Sequence, residues 1–233
     1  KVVHYLNQFF GGIGGEEEAY APLQREEGPV GPGRALQSAL GSQATVVTTL
    51  VAGDNFFTEE VDAAKATVSE ILEQIKPDVV IAGPAFDAGR YGLACAEVCR
   101  VAQARGIPSV TGMHEENPGI LTYRRDVLAV STGVDSSEMV QVLRKMAHLA
   151  MKLVRGEELG PASAEGYLPR GFRRQVVHDK AGYERAVEML KARLAGQPYV
   201  SEMLITSYDL VPAAPPITDL ETSTIALVTT GGL

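Results

Sequence analysis

Two kinds of apolar pattern alternate along the chain. Short runs with almost no polar interruption stand at Val2-Val-His-Tyr-Leu6, Thr45-Val-Val-Thr-Thr-Leu-Val51, Val79-Val-Ile81, Ile107-Pro-Ser-Val-Thr-Gly112 and Val127-Leu-Ala-Val-Ser131. Such runs predict strands, and Val79 to Ile81 is too uniformly apolar for a strand with one wet face. Between them lie stripes at helical spacing. Leu36, Ala39 and Leu40 mark a short helix, while Val61, Ala64, Val68, Ile71, Leu72 and Ile75 mark a longer one that Thr58 is expected to cap and Pro77 to stop. Asp87-Ala-Gly-Arg-Tyr-Gly92 leads into a third, closed by Gly106, and Met139, Leu143, Met146, Ala150 and Leu153 define a fourth over about 136–155, with Gly156 as its stop. Five strands alternating with helices predict a doubly wound, Rossmann/flavodoxin-like parallel sheet over 1–156. The pattern fails from 157, where an irregular segment and a helix over 181–194, expected to pack on the first domain, fill 157–197. A proline-rich linker at 198–223 follows, and Thr224 to Gly232 reads as the first strand and turn of a second α/β unit.

Chemistry concentrates in the turns after the strands. Gly83-Pro84 is expected to end its strand, so the unusual loops beginning at Asn7, Gly53, Gly83 and Met113 should share the carboxyl edge of the sheet, where ligands bind in such folds. The first combines the amides of Asn7 and Gln8 with four glycines, including Gly14, and then Glu16, Glu17 and Glu18. No Lys-Ser/Thr follows those glycines and the acids would repel a phosphate, which argues for a binding loop other than a nucleotide loop. Asp54 and Asn55 follow Gly53 in the second loop. In the third, Arg90 and the N–H groups of the Asp87 to Tyr91 turn form a natural anion site, because a guanidinium fork and a helix N-terminus both favour negative charge.

Composition narrows the setting. A chain of 233 residues with net charge −8 can bury a core without staples, and its charge argues against nucleic acid. The only cysteines, Cys95 and Cys99, are four apart on a helix and read as an apolar stripe, since an intrahelical bridge is geometrically poor. With no apolar leader or membrane-length run, a cytoplasmic location is expected. Arg170, Arg173 and Arg174 form one basic cluster, read as a solvated loop rather than a docking patch. The histidines show no metal-ligand spacing.

Five segments, taken together, resemble a known family: Val2 to Glu17, Gly28-Pro-Val-Gly-Pro-Gly33, Ala82-Gly-Pro-Ala-Phe-Asp-Ala-Gly-Arg-Tyr-Gly92, Thr111-Gly-Met-His-Glu-Glu-Asn-Pro-Gly119 and Ile225-Ala-Leu-Val-Thr-Thr-Gly-Gly232. In this order they are similar to the substrate-specific component B (selenoprotein B family) of glycine, sarcosine and betaine reductases. The resemblance implies reductive cleavage of a C–N bond in a small amino acid or N-methylated derivative, within a multi-subunit oxidoreductase complex. It also implies that the thiol or selenol nucleophile lies in a C-terminal half or partner subunit, where a pyruvoyl group is a further candidate, and that a thiol/selenol carrier protein and oligomerisation complete the assembly. Cys95 and Cys99 match that nucleophile in neither spacing nor context, so this chain alone is expected to be inactive.

For a zwitterionic substrate the residues nominated are Asn7, Gln8, Gly14, Glu16, Asp54, Asn55, Phe86, Asp87, Arg90, Tyr91, Glu115, Glu116 and Asn117. Arg90 would take the carboxylate, and Glu115 and Glu116, with Glu16 and Glu17 as alternatives, the ammonium. Phe9, Phe10, Phe56, Phe57, Phe86 and Tyr91 offer ring faces to it. His114 is the candidate acid for the departing amine. A non-catalytic small-ligand-binding or scaffold subunit and a racemase- or lyase-like enzyme are the alternatives.

Overall fold

A computed structural model describes residues 1–171, 178–201, 212–219, 221–224 and 226. The chain divides into two compact units, Lys1–Arg174 and Gln175–Leu233. The first is a mixed α/β body built on six strands: β1 (Val2–Asn7), β2 (Gln24–Glu27), β3 (Val46–Ala52), β4 (Val79–Phe86), β5 (Ser109–Met113) and β6 (Ala129–Ser131). Their order across the sheet is β2-β3-β1-β4-β5-β6. All neighbours run parallel except β2, which pairs antiparallel with β3.

The apolar runs form inner strands because both faces are covered. Every residue of β1 and of β4 is buried. Alternate side chains feed two cores, as a pleated strand requires. On one face Val3, Tyr5 and Val80 pack beneath α3 (Asp54–Glu59), α4 (Val61–Ile75), α5 (Gly89–Ala104) and α6 (Pro118–Tyr123); on the other, Val2, Ile81 and Val110 pack beneath α2 (Gly33–Leu40) and α7 (Met139–Val154). The predicted stripes face these cores through Ala64, Val68 and Leu72 in α4 and Leu143, Met146 and Ala150 in α7.

Several expectations need correction. The strand meant to end at Gly83-Pro84 continues to Phe86 through a cis Gly83–Pro84 peptide, with a slip in its register against β5 between Ala82 and Phe86. Thr58 does not cap the following helix. It lies inside α3, where its hydroxyl donates to the Asp54 carbonyl at 2.8 Å, a local bond that short polar side chains make readily. β2 escaped prediction because Gln24-Arg-Glu-Glu27 is fully exposed and carries no apolar alternation, the usual guise of a charged edge strand.

The segment after α7, expected to be irregular, folds against the β6 edge. It holds a short helix, α8 (Ala162–Glu165), and Leu168 N–H donates to the Ala129 carbonyl at 2.7 Å. Glu165 pins it by accepting from Gly160 N–H at 2.9 Å and from Lys152. The second unit contains α9 (Gly182–Leu194). The described residues of the expected linker over 198–223 carry no helix or strand. Arg173 and Arg174 of the basic cluster, and nearly all of the strand expected over 224–232, fall outside the described residues. Among the described residues no helix is long and apolar enough to cross a membrane.

Candidate functional site

The carboxyl ends of β1, β3, β4 and β5 share one edge of the sheet, and the segments that follow them are bonded together there. Asn7 ends β1 and caps α1 (Gln8–Gly11), its Oδ1 accepting the Phe10 N–H at 3.0 Å. Its Nδ2 donates to Asp54 Oδ2 at 3.0 Å. Gln8 Oε1 in turn accepts the Asp54 backbone N–H at 3.0 Å. The next donors of α3 are taken by the Ala19 carbonyl, which accepts from Asn55 and Phe56 at 2.8 and 3.0 Å. That close approach explains Gly53, where a Cβ would stand 2.1 Å from the Ala19 oxygen. The N-terminus of α3 is therefore closed by protein groups. α5 differs: its N-cap is Ala88, which has no side chain able to cap.

Arg90, in the first turn of α5, joins the two loops. One guanidinium nitrogen donates to Asn55 Oδ1 and the other pairs with Glu16 Oε1 at 2.7 Å. The Arg90 and Glu16 side chains are 45 % and 69 % exposed, so this pair is weak and can open. Asp54 is nearly buried. Desolvation raises its carboxyl above the usual range, opposed first by the Asn7 hydrogen bond and then by the Arg90 charge. Tyr91 is fully enclosed, its ring 5.9 Å from that of Phe10 and 6.1 Å from that of Tyr5.

A second cluster lies where β4 and β5 end. Phe86 takes a left-handed φ of 51°, uncommon for a bulky residue. Its carbonyl accepts both the His114 N–H and Asn117 Nδ2 at 2.9 Å, which holds the turn. Asn117 is wholly buried, with its remaining contacts to Ala88 O and the Gly119 N–H. A Cβ on Gly92 would fall 1.9 Å from Asn117 Oδ1, so that glycine is needed for the fit. His114 Nδ1 lies 3.4 Å from the Glu116 N–H and 3.9 Å from Asp87 Oδ1.

Of the nominated residues, Asn7, Gln8, Glu16, Asp54, Asn55 and Arg90 form one connected group, with Tyr91 packed beneath it. Phe86, Asp87, His114 and Asn117 form the neighbouring one. Gly14 borders Glu17 and Glu18 in the glycine loop, and Glu17 accepts the Gly15 N–H at 2.8 Å, which lowers its carboxyl pKa. Glu115 and Glu116 are exposed, and among the described residues their side chains make no hydrogen bond or ion pair. Phe57 is buried edge-on against Tyr5 at 5.5 Å. Tyr5, not nominated from the sequence, packs beside Tyr91 with ring centroids 6.1 Å apart. Its signal was a hydroxyl-bearing ring in the middle of a strand otherwise fit for burial.

Cys95 and Cys99 are free and buried. Burial pushes the Cys99 thiol up to about 12 and the Cys95 thiol well above its ordinary value. Among the described residues no three His, Cys, Asp or Glu side chains gather to hold a metal.

These features define an α/β protein whose amides and opposed charges meet at the carboxyl edge of a mostly parallel sheet. Its sequence matches the family model of glycine/sarcosine/betaine reductase selenoprotein B over residues 1–233, and the chain belongs to that family. It is 48 % identical to a glycine reductase complex component B subunit gamma of Symbiobacterium thermophilum, with all of this chain aligned to 54 % of that protein. To a sarcosine reductase complex component B subunit beta and a betaine reductase complex component B subunit beta, both of Peptoclostridium acidaminophilum, it is 44 % and 42 % identical, again over all of this chain and 54 % of each relative. The chain thus spans about half the length of the curated relatives it matches. No solved structure matches it significantly.

Proposed function

We propose that this chain is the substrate-binding portion of a component B subunit, in an oxidoreductase complex that reductively cleaves the C–N bond of a small amino acid or N-methylated derivative. The observation that carries the reading is the bonded group at the sheet edge, where the Arg90 guanidinium and the Asp54 carboxylate are linked through Asn55 and Asn7. With β2 set aside, the order β3-β1-β4-β5-β6 is that of a flavodoxin-like doubly wound sheet, whose direction of winding switches between β1 and β4, where such folds bind ligands. Arg90 and the uncapped start of α5 receive the carboxylate once Glu16 swings away. His114, whose Nδ1 lies 3.9 Å from Asp87 Oδ1, is the acid for the departing amine.

The nucleophile lies outside this chain, since two buried thiols with raised pKa values fit neither attack nor metal binding. A cysteine or selenocysteine, or a pyruvoyl group, in a C-terminal half or partner subunit supplies the covalent chemistry. A thiol/selenol carrier then exchanges electrons with it, in a cytoplasmic, oligomeric assembly. Phe9, Tyr20, Leu121 and Val134 support a partner at this edge, because these large apolar side chains are more than half exposed and all follow strands that end there. The test is amine release by the complete complex. Arg90→Ala should raise KM for the amino acid at least 100-fold, the loss of a charge-assisted fork at about 3 kcal/mol. An unchanged KM would contradict the assignment.

A further inference from the structure

Among the described residues, four oxygens beneath the carboxyl edge are shielded from solvent and have no nitrogen or oxygen side-chain partner: Tyr5 OH, Tyr91 OH, Asp54 Oδ1 and Thr111 Oγ1. They belong to one place. The Tyr5 and Tyr91 rings are 6.1 Å apart, the Tyr91 and Thr111 hydroxyls lie beside the Cys95 thiol, and the Asp54 charge acts on both tyrosines. Each buried unpartnered oxygen costs about 1–3 kcal/mol, so four together approach the whole stability of an ordinary domain. Something that donates hydrogens belongs among them. Asp54 Oδ1 can only accept, each hydroxyl can accept, and the flanking rings of Tyr5, Tyr91 and Phe10 favour a cation.

We propose that this cluster of oxygens receives the ammonium end of the substrate and requires N–H groups on it, so that the protein takes primary and secondary amino acids and rejects the quaternary one. The inference rests on the functional reading above. Arg90 precedes Tyr91 and Asp54 precedes Asn55, so the two charges of one small zwitterion meet guanidinium and carboxylate side by side. This moves the ammonium from Glu115 and Glu116, which are exposed, to Asp54, which is 7 % exposed with one oxygen unused.

Magnitudes favour rejection of the quaternary group. Ring faces contribute about 2 kcal/mol to a methylated cation, less than the cost of leaving several oxygens unpaired. A site built to hydrogen-bond a group discriminates against the analogue lacking it by roughly 10⁴-fold. Entry requires α1 and its glycine loop to lift, because Phe10 covers Tyr91 and Glu16 clasps Arg90.

The test is calorimetric titration of the complete protein with glycine, N-methylglycine and trimethylglycine. At least one of the first two should bind, and trimethylglycine at least 100-fold more weakly. Tyr91→Phe should narrow that ratio, and Arg90→Ala should weaken all ligands together while leaving it intact. If Tyr91→Phe fails to fold, Thr111→Val replaces it, and the ratio in the unaltered protein needs no variant. Equal affinities, with Arg90 still required, would overturn the proposal and leave the functional reading standing. Binding that ignores Arg90→Ala, or no binding of any ligand, would overturn both.

Discussion

The protein buries one carboxylate at the sheet edge and another on a helical face, and it treats them oppositely. Glu97 of α5 has both oxygens engaged: Arg100 reaches them at 3.0 and 3.2 Å, Tyr123 OH donates at 2.6 Å and Lys65 stands at 3.5 Å. Arg100 also lies over the Tyr123 ring at 4.7 Å. A cavity of about 270 Å³ opens beside this group, lined by Phe57, Val61 and Leu93 among others. Asp54 has one oxygen held by Asn7 and the other without a hydrogen bond among the described residues. A satisfied buried charge fixes structure, whereas a half-satisfied one is costly unless something completes it. Polarity alone would rank the two sites alike; satisfaction separates them.

The largest effect should come from Asp54→Asn, which removes the negative charge that meets the ammonium. Affinity for the accepted amino acid should fall roughly 1,000-fold by calorimetry, the range for a desolvated charge pair. Folding stability should hold or rise, because the fold disfavours the ionised carboxyl. That sign also sets a pH dependence. With its folded pKa raised, Asp54 contributes relative stability as pH falls through that value, while ligand binding weakens over the same interval, and the Asn variant should lose that limb.

His4 gives a reference on the opposite face. Its Nε2 lies 2.8 Å from the Gly83 carbonyl, which can only accept, so the neutral ring carries its proton there. Burial lowers its pKa from 6.5 to about 4, against the raising effect of that bond. Stability is therefore unaffected above pH 6.5 and lost as pH falls from there toward 4, reaching about 3 kcal/mol. Urea midpoints against pH should show this slope, and His4→Gln should flatten it.

Glu97→Ala should destabilise by about 2 kcal/mol, a figure held down because Lys65 and Arg100 are partly screened by water, and should leave affinity within twofold. A loss of binding equal to that of Asp54→Asn would erase the contrast. The smallest effect is a null one: peptide mapping after iodoacetamide should find Cys95 and Cys99 unmodified in the native protein and both labelled after unfolding.

Much of this was legible because strand and helix periods are carried by single residue types at fixed spacing. Val79 to Ile81 announced an inner strand, and the loops after β1, β3, β4 and β5 met at one edge because parallel strands must all end there. What escaped depended on contacts distant in sequence. The Asn117 amide closes the Phe86 turn from 31 residues away, a contact its own segment does not announce. Acids cluster at Glu115 and Glu116 in the sequence, but only tertiary packing sets which carboxylate is desolvated. Tyr5 was hidden for the same reason, since an orphaned hydroxyl is a property of its neighbours and not of its own strand.

The most direct measurement is a crystal structure of the complete protein with N-methylglycine. The ligand carboxylate should lie on Arg90 with Glu16 displaced, and its nitrogen within hydrogen-bond distance of Asp54 Oδ1 and a tyrosine hydroxyl. A ligand bound elsewhere, with the Arg90–Glu16 pair closed and Asp54 facing only water, would contradict the account.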